Sequence, residues 1–208
     1  LLVRTYGGAT IVEDDLPEMS LEERQSINIE GKERIGKAAA QLIKDGDTIF
    51  LDASTSALQV ARSIRNRKNI TVITNAEKVV VELAGSDEIN IICVGGLFRK
   101  SSLSYVGSIA ETTILNNYHA NKTFLSCRGV AVNRGLTDSN EQEIQVKKAM
   151  MACTDEVVFL CDQTKFEKTG FLVLSSLEKV NCMITDKKLD CEWQRALDEK
   201  NVRLIVAE

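Results

Sequence analysis

Asp47-Thr48-Ile49-Phe50-Leu51-Asp52-Ala53-Ser54-Thr55-Ser56 passes from a short apolar run to an acidic residue and then to three consecutive hydroxyl side chains. Thr48 to Leu51 contains β-branched residues and has the length of a buried strand. Ala57, Leu58, Val60, Ala61 and Ile64 then recur at helical spacing. The stretch reads as strand, tight loop and helix N-terminus. Such a terminus presents unpaired N–H groups and a partial positive charge, to which Ser54, Thr55 and Ser56 add hydroxyl donors, so the loop suits a phosphate. Asp52, at the carboxyl end of the strand, is placed to accept hydrogen bonds from hydroxyls of the same ligand. The same residues also suit a simpler role, in which Ser54 or Thr55 caps the helix.

Working outward, the alternation repeats. Ile27, Ile35, Ala38, Ala39, Leu42 and Ile43 form one helical stripe before the first strand, with Gly46 as a stop signal. After it, strand Ile70 to Ile73 leads to helix Ala76 to Ala84, and strand Ile89 to Val94 leads to a helix from Ser108 to Leu115. A second block follows: strand Lys122 to Ser126, a glycine-bearing loop to Asp138, helix Glu141 to Cys153, strands Val157 to Cys161 and Val180 to Thr185, helix Trp193 to Lys200 and strand Val202 to Val206. Repeated βα units with near-continuous apolar strands predict an α/β fold, a mostly parallel Rossmann-like sheet with helices on both faces. Ligands of open sheets of this kind bind beyond the carboxyl ends of the strands.

Those ends carry polar groups throughout. The second strand ends in Thr74-Asn75. The third ends in Gly95-Gly96-Leu97-Phe98-Arg99-Lys100-Ser101, where paired glycines allow close backbone approach and two cations follow. Ser126-Cys127-Arg128-Gly129 and Gly135-Leu136-Thr137-Asp138 lie beyond the fourth, and Asp162-Gln163-Thr164-Lys165 beyond the fifth. Each set taken alone has an ordinary explanation as a helix cap, a turn or a pair of solvated charges. Together they imply a small, polyhydroxylated, anionic ligand.

Composition narrows the alternatives. The 208 residues suffice for one ordinary domain or two small ones, and 44% hydrophobic with 27% charged residues is the balance of a soluble globular protein. A formal charge of −4 gives this chain no electrostatic reason to hold a polyanion by itself. No apolar run suits a membrane span or an export signal, so the chain is expected to be cytoplasmic. No Gly-x-x-x-x-Gly-Lys-Ser/Thr or Gly-x-Gly-x-x-Gly element is present, and no cofactor is implied. The six cysteines form no Cys-x-x-Cys pair, and four sit in apolar runs such as Ile91-Ile92-Cys93-Val94, where a thiol is expected to be buried. His119, the single histidine, lies in a polar turn, which disfavours zinc and leaves a serine or cysteine nucleophile without its usual partner. Residue 1 is Leu, which reads as a fragment or processed product.

The motifs Gly7-Gly8-Ala9, Glu33-Arg34-Ile35-Gly36, Leu51-Asp52-Ala53-Ser54-Thr55-Ser56, Thr74-Asn75, Gly95-Gly96 with Arg99, Val106-Gly107, Gly135-Leu136-Thr137, Glu143 with Lys147 and Met150, and Asp162-Gln163-Thr164-Lys165-Phe166 follow one another over nearly the whole chain. In this order they resemble the sensor domain of DeoR-family bacterial transcription regulators. The resemblance implies a fold similar to ribose-5-phosphate isomerase and glucosamine-6-phosphate deaminase, a phosphorylated sugar as effector, a homo-oligomer, and operator DNA bound by an N-terminal winged helix-turn-helix. It makes residues 1–26 the end of that wing, at Arg4 to Ala9, and a linker holding Pro17 among acidic residues, and makes 27–208 the sensor. It also implies that Asp52, Ser54, Thr55 and Ser56 surround the phosphate or sugar, that Thr74, Asn75, Gly95, Gly96 and Arg99 complete the pocket, and that Lys165 is the cation opposite, with Asp162 orienting it or taking a sugar hydroxyl. Glu143 and Lys147, four apart, share a helix face and are expected to pair. Ser54 stands where many members have Gly, and Ser56 where many have Thr.

The related isomerases carry Asp-Gly-Ala-Asp-Glu after a central strand, and the comparable stretch here is Ser126-Cys127-Arg128-Gly129-Val130. Without a carboxylate to abstract a proton, turnover lacks a base. Binding without chemistry is therefore expected, as in a repressor's sensor. The alternatives are a sugar-phosphate isomerase or deaminase, and a purely structural oligomerisation domain.

Overall fold

The computed structural model describes residues 2–5, 8–11 and 19–208. β1 (Leu2–Thr5) and β2 (Gly8–Ile11) pair antiparallel. Most of the expected linker, residues 12–18, lies outside the described residues. Ser20, at its end, opens a helix instead: the Ser20 side chain accepts from the Glu23 N–H while Glu23 reaches back to Ser20, a capping box that starts α1 (Leu21–Ser26).

The stripe expected from Ile27 to Ile43 is interrupted. Asn28 adopts φ 49, a left-handed conformation that a short polar side chain tolerates, so α1 ends before it and α2 (Ile29–Ala40) starts after it. Then follow β3 (Thr48–Leu51), α3 (Thr55–Ile64), β4 (Ile70–Thr74), α4 (Glu77–Leu83) and β5 (Ile89–Cys93). A hairpin of β6 (Leu97–Arg99) and β7 (Ser104–Val106) precedes α5 (Ser108–Asn117) and β8 (Ala120–Leu125). The glycine-bearing loop expected after β8 holds two short strands, β9 (Gly129–Ala131) and β10 (Gly135–Asp138), before α6 (Glu141–Ala152). β11 (Thr154–Cys161), β12 (Leu172–Ser175), β13 (Cys182–Thr185), α7 (Cys191–Glu199) and β14 (Arg203–Val206) complete the chain. β12 joins β10 and β9 in a small antiparallel sheet.

The main sheet has seven parallel strands in the order β14-β13-β11-β8-β3-β4-β5. Side chains alternate across it, as the strand period requires. Ile49 and Leu51 of β3 pack with α2, α3 and α4, whereas Phe50 between them packs with α5 and α6. On the far half of the second face, Phe159 and Met183 pack with Trp193 and Leu197 of α7. Cys127, Cys161 and Cys182 are buried, as expected, but Cys93 is exposed because β5 is an edge strand covered less fully than its apolar sequence suggests.

α2 and α3 approach closely at Gly36, where an added Cβ would lie 2.6 Å from the backbone carbonyl carbon of Gln59. Gly36→Ala is therefore expected to destabilise the fold by about 1–3 kcal/mol through overpacking, reversing the gain of roughly 1 kcal/mol that alanine gives in a free helix. Denaturant midpoints measure it, and a raised midpoint would show that the two helices separate without cost.

Candidate functional site

After β3 the chain adds β4 and β5 on one side and then returns to place β8 on the other. Strand order thus reverses between β3 and β8, and the crevice beyond their carboxyl ends is the expected ligand position in such sheets. A cavity of about 180 Å³ lies there, lined from β3–α3 by Ser54 and Thr55, from beyond β8 by Ser126, Cys127 and Arg128, and from beyond β11 by Asp162, Thr164, Lys165 and Lys168. Asp138, Ser139 and Lys147 close it from the β10–α6 side, and Arg24 of α1, Lys32 of α2 and the flanking Met19 and Ile27 close it from the other.

Asp52 forms the base beneath this cavity. It is 1% exposed, and its carboxylate accepts from the Ser54 N–H at 3.1 Å and the Ser126 N–H at 3.2 Å, pinning the loops after β3 and β8 together. Lys147 Nζ donates to Asp138 Oδ2 at 2.6 Å and lies 3.6 Å from Asp52 Oδ2. Burial works against the Lys147 ammonium, but Asp138, Asp52 and Glu143 outweigh it and hold its pKa above the ordinary value. Burial likewise works against the Asp138 carboxylate, and Lys147 reverses that effect and holds it below the usual range.

Opposite this group, Lys165 Nζ donates to Ser126 Oγ at 2.5 Å and stands 3.7 Å from Asp162 Oδ2. Asp162 Oδ1 accepts from the N–H and hydroxyl of Thr164, while the buried Oδ2 has no hydrogen-bond partner among the described residues. An ionised oxygen in that position is an acceptor for a ligand hydroxyl. Burial opposes the charge on Asp162, yet Lys165 and Thr164 keep its pKa below the ordinary value.

The expected site residues divide into two groups. Ser54, Thr55, Asp162 and Lys165 meet at the cavity, with Asp52 supporting them. Ser54 also caps α3 by accepting from the Ala57 N–H at 3.1 Å, so the simpler role holds as well. Ser56 is fully buried, its hydroxyl has no hydrogen-bond partner among the described residues, and it does not line the cavity. The second group lies on the β4–β5 side, away from the order reversal. Thr74 Oγ1 donates to the Leu51 carbonyl at 2.7 Å, and Asn75 Nδ2 donates to the Tyr105 carbonyl at 3.0 Å. Gly95 and Gly96 take φ 68 and 120 in the turn into β6, where a Cβ on Gly96 would meet the Val106 carbonyl at 2.8 Å. Arg99 donates to Ser102 Oγ at 2.9 Å and lies 3.8 Å from Glu143. The expected Glu143–Lys147 pair is replaced by separate partners. Glu143 accepts from Ser102 and Ser104 at 2.6 Å each, and Lys147 turns to Asp138 and Asp52.

Arg24, Lys32 and Lys168 carry no strand-end signal in the sequence, because none of them immediately follows a strand of the main sheet. Lys147 carried only a weak signal, its spacing from Glu143.

Chemically, the site binds better than it reacts. Asp138 and Asp162 are held below their ordinary pKa and so are weakened as bases. Burial pushes the Cys127 thiol up to about 12, which leaves it protonated and unreactive. His119 is exposed and pairs with Asp155 at 2.7 Å, outside the cavity. No metal-binding cluster occurs among the described residues, and no helix among them is long and apolar enough to cross a membrane.

Residues 27–187 match the family model described as the DeoR C terminal sensor domain. The chain is 38% identical over 203 residues to the uncharacterized HTH-type transcriptional regulator YulB of Bacillus subtilis, covering 98% of this chain and 78% of that protein. It is 32% identical to the HTH-type transcriptional repressor GlcR of the same organism, covering 100% of this chain and 79% of that protein. Ribose 5-phosphate isomerase A of Methanocaldococcus jannaschii shares the fold at 20% identity and a TM-score of 0.50, over 67% of this chain and 55% of that one. The delta subunit of eIF2B from Chaetomium thermophilum does so at 18% identity and a TM-score of 0.51, over 81% and 59%. The chain belongs to the DeoR family of transcription regulators, and its α/β sheet is the effector-binding sensor domain of that family.

Proposed function

We propose that the cavity binds a phosphorylated sugar and that its occupancy alters the hold of a helix-turn-helix domain on operator DNA, in a homo-oligomer. The carrying observation is the charge of the lining. Arg24, Lys32, Arg128, Lys147, Lys165 and Lys168 face it against the carboxylates of Asp138 and Asp162, in a chain whose overall charge is −4. An anion suits such a lining, and Asp162 Oδ2, 3.7 Å from Lys165 Nζ and without a hydrogen-bond donor among the described residues, adds an acceptor for a hydroxyl. The relatives are named as regulators and the carboxylates are poor bases, which favours a sensor over an isomerase. An effector acts on DNA affinity only through its differential affinity for two states of the sensor.

A thermal-shift comparison of sugar phosphates with their unphosphorylated parents tests this reading. Stabilisation by one phosphorylated compound, rising with concentration as linkage requires, is expected. Equal shifts from parent and phosphate, or none at all, would refute it.

The cavity also makes binding depend on pH. Burial brings the Lys32 ammonium down to about 8, against the opposing influence of Asp162, with Lys165 and Arg24 lowering it further. An anion favours the charged form, so affinity is expected to be full below that value and to fall as pH rises through it. Phosphate monoesters lose their second proton near pH ~6, which places the optimum between the two. Titration calorimetry on either side of the Lys32 transition checks this, and constant affinity would remove Lys32 from ligand contact.

A further inference from the structure

We infer that α1 is part of the binding site and reports its occupancy: Arg24 and Lys32 take the ligand's phosphate, and this contact fixes α1 on the sensor. The inference rests on the reading of the cavity as a phosphosugar site and assigns the phosphate to these two side chains.

Arg24 lines the cavity from a helix that precedes the family-matched region, 27–187. Its Nε is buried without a hydrogen-bond partner, and no carboxylate pairs with its guanidinium among the described residues. A guanidinium so placed has its fork available for a planar or tetrahedral oxyanion. Lys32 stands beside it. Its ammonium donates to the Arg24 carbonyl at 2.5 Å and the Ile27 carbonyl at 2.6 Å, gripping the carboxyl end of α1, and an ammonium has a third N–H to give. Lys147 and Lys165, by contrast, are already engaged by Asp138 and Asp162. The phosphate therefore belongs with Arg24 and Lys32, in the cavity that Thr55 also lines, and the hydroxyls belong at Asp162.

The seating of α1 is slight. Six residues are too few for a helix to persist alone in water. Among the described residues, what fixes it is the Lys32 grip, the buried Leu21 side chain and a backbone bond from the Leu21 N–H to the Ser101 carbonyl at 3.1 Å. A charge-assisted contact to Arg24 adds substantially to so small a set. Because α1 directly continues the segment leading from the N-terminal hairpin, its seating is the quantity that a domain on that side would sense.

Hydrogen exchange of the whole chain, read by mass spectrometry, tests this with inorganic phosphate, ribose 5-phosphate and fructose 6-phosphate as probes and sodium chloride of equal ionic strength as control. Binding of a probe is expected to slow exchange of the amides of residues 21–28 severalfold. Arg24→Gln is expected to weaken that probe about tenfold and to abolish the added protection even at saturation. Lys165→Ala, which leaves Arg24 and Lys32 in place, is expected to weaken binding yet keep the protection when saturated. A probe that binds the unaltered chain with 21–28 unchanged would overturn the role of α1 while leaving the cavity reading intact. Failure of every probe to bind would overturn both.

Discussion

Lys147→Met is expected to destabilise the sensor by about 3–5 kcal/mol, because it removes the cation from a buried pair and leaves carboxylates uncompensated. Lys147 is 7% exposed and stands between Asp138, to which it donates, and Asp52, the residue that ties the β3 and β8 loops together. With the ammonium gone, Asp138 and Asp52 must be protonated or take up water from the cavity that Asp138 lines. Urea unfolding of the variant gives the magnitude. Adding Asp138→Asn to Lys147→Met is expected to recover part of the loss, since it removes one of the stranded charges. A loss below about 1 kcal/mol, within the ordinary range for exposed ion pairs, would mean that the group is solvated and that the cavity is not organised by it.

Lys165→Ala is expected to weaken the sugar phosphate by ten- to a hundredfold, the equivalent of about 1.4–3 kcal/mol for a charge-assisted contact, while the sheet stays folded. The lysine sits on a short 3₁₀ turn after β11, and its removal opens no large core space. It does leave Asp162 without its nearest cation, so Lys165→Arg is the companion variant, expected to keep the charge and part of the affinity. Titration calorimetry separates the outcomes. Unaltered affinity in Lys165→Ala would place the ligand away from Lys165 and Asp162.

Much of the fold was legible from periodicity. Thr48 to Leu51, Ile70 to Ile73 and Val157 to Cys161 announce themselves as parallel strands because their faces are largely buried, which enforces continuous apolar runs, whereas the polar start of β11, Thr154 to Glu156, carries no such signal. The same logic misled at Cys93, since the edge strand β5 has the run without the cover. The β6–β7 hairpin and β12 escaped because strands of three or four residues, held by a local hairpin or a small sheet, leave no period to read.

The site was half legible for a related reason. Polar residues at strand ends mark the side of the sheet on which the cavity lies, but Thr74, Asn75, Gly95 and Gly96 stand at ends as good as Asp52 and Asp162. What separates the two groups is strand order, and order is a long-range property that no local spacing contains. Asn75 and Arg99 satisfy backbone and side chains of the hairpin, Tyr105 and Ser102, whose proximity only the fold creates. Arg24 and Lys32 were invisible for the complementary reason, since they reach the cavity from helices that precede the first strand of the sheet.

The most direct measurement is a crystal structure of the chain grown with whichever sugar phosphate stabilises it. The phosphate is expected against Arg24, Lys32 and Thr55, with a sugar hydroxyl on Asp162 Oδ2 and Lys165 alongside. Density for the compound in the open groove of Lys37, Arg62 and Arg67 between α2 and α3, with the cavity at the order reversal left to solvent, would contradict the assignment.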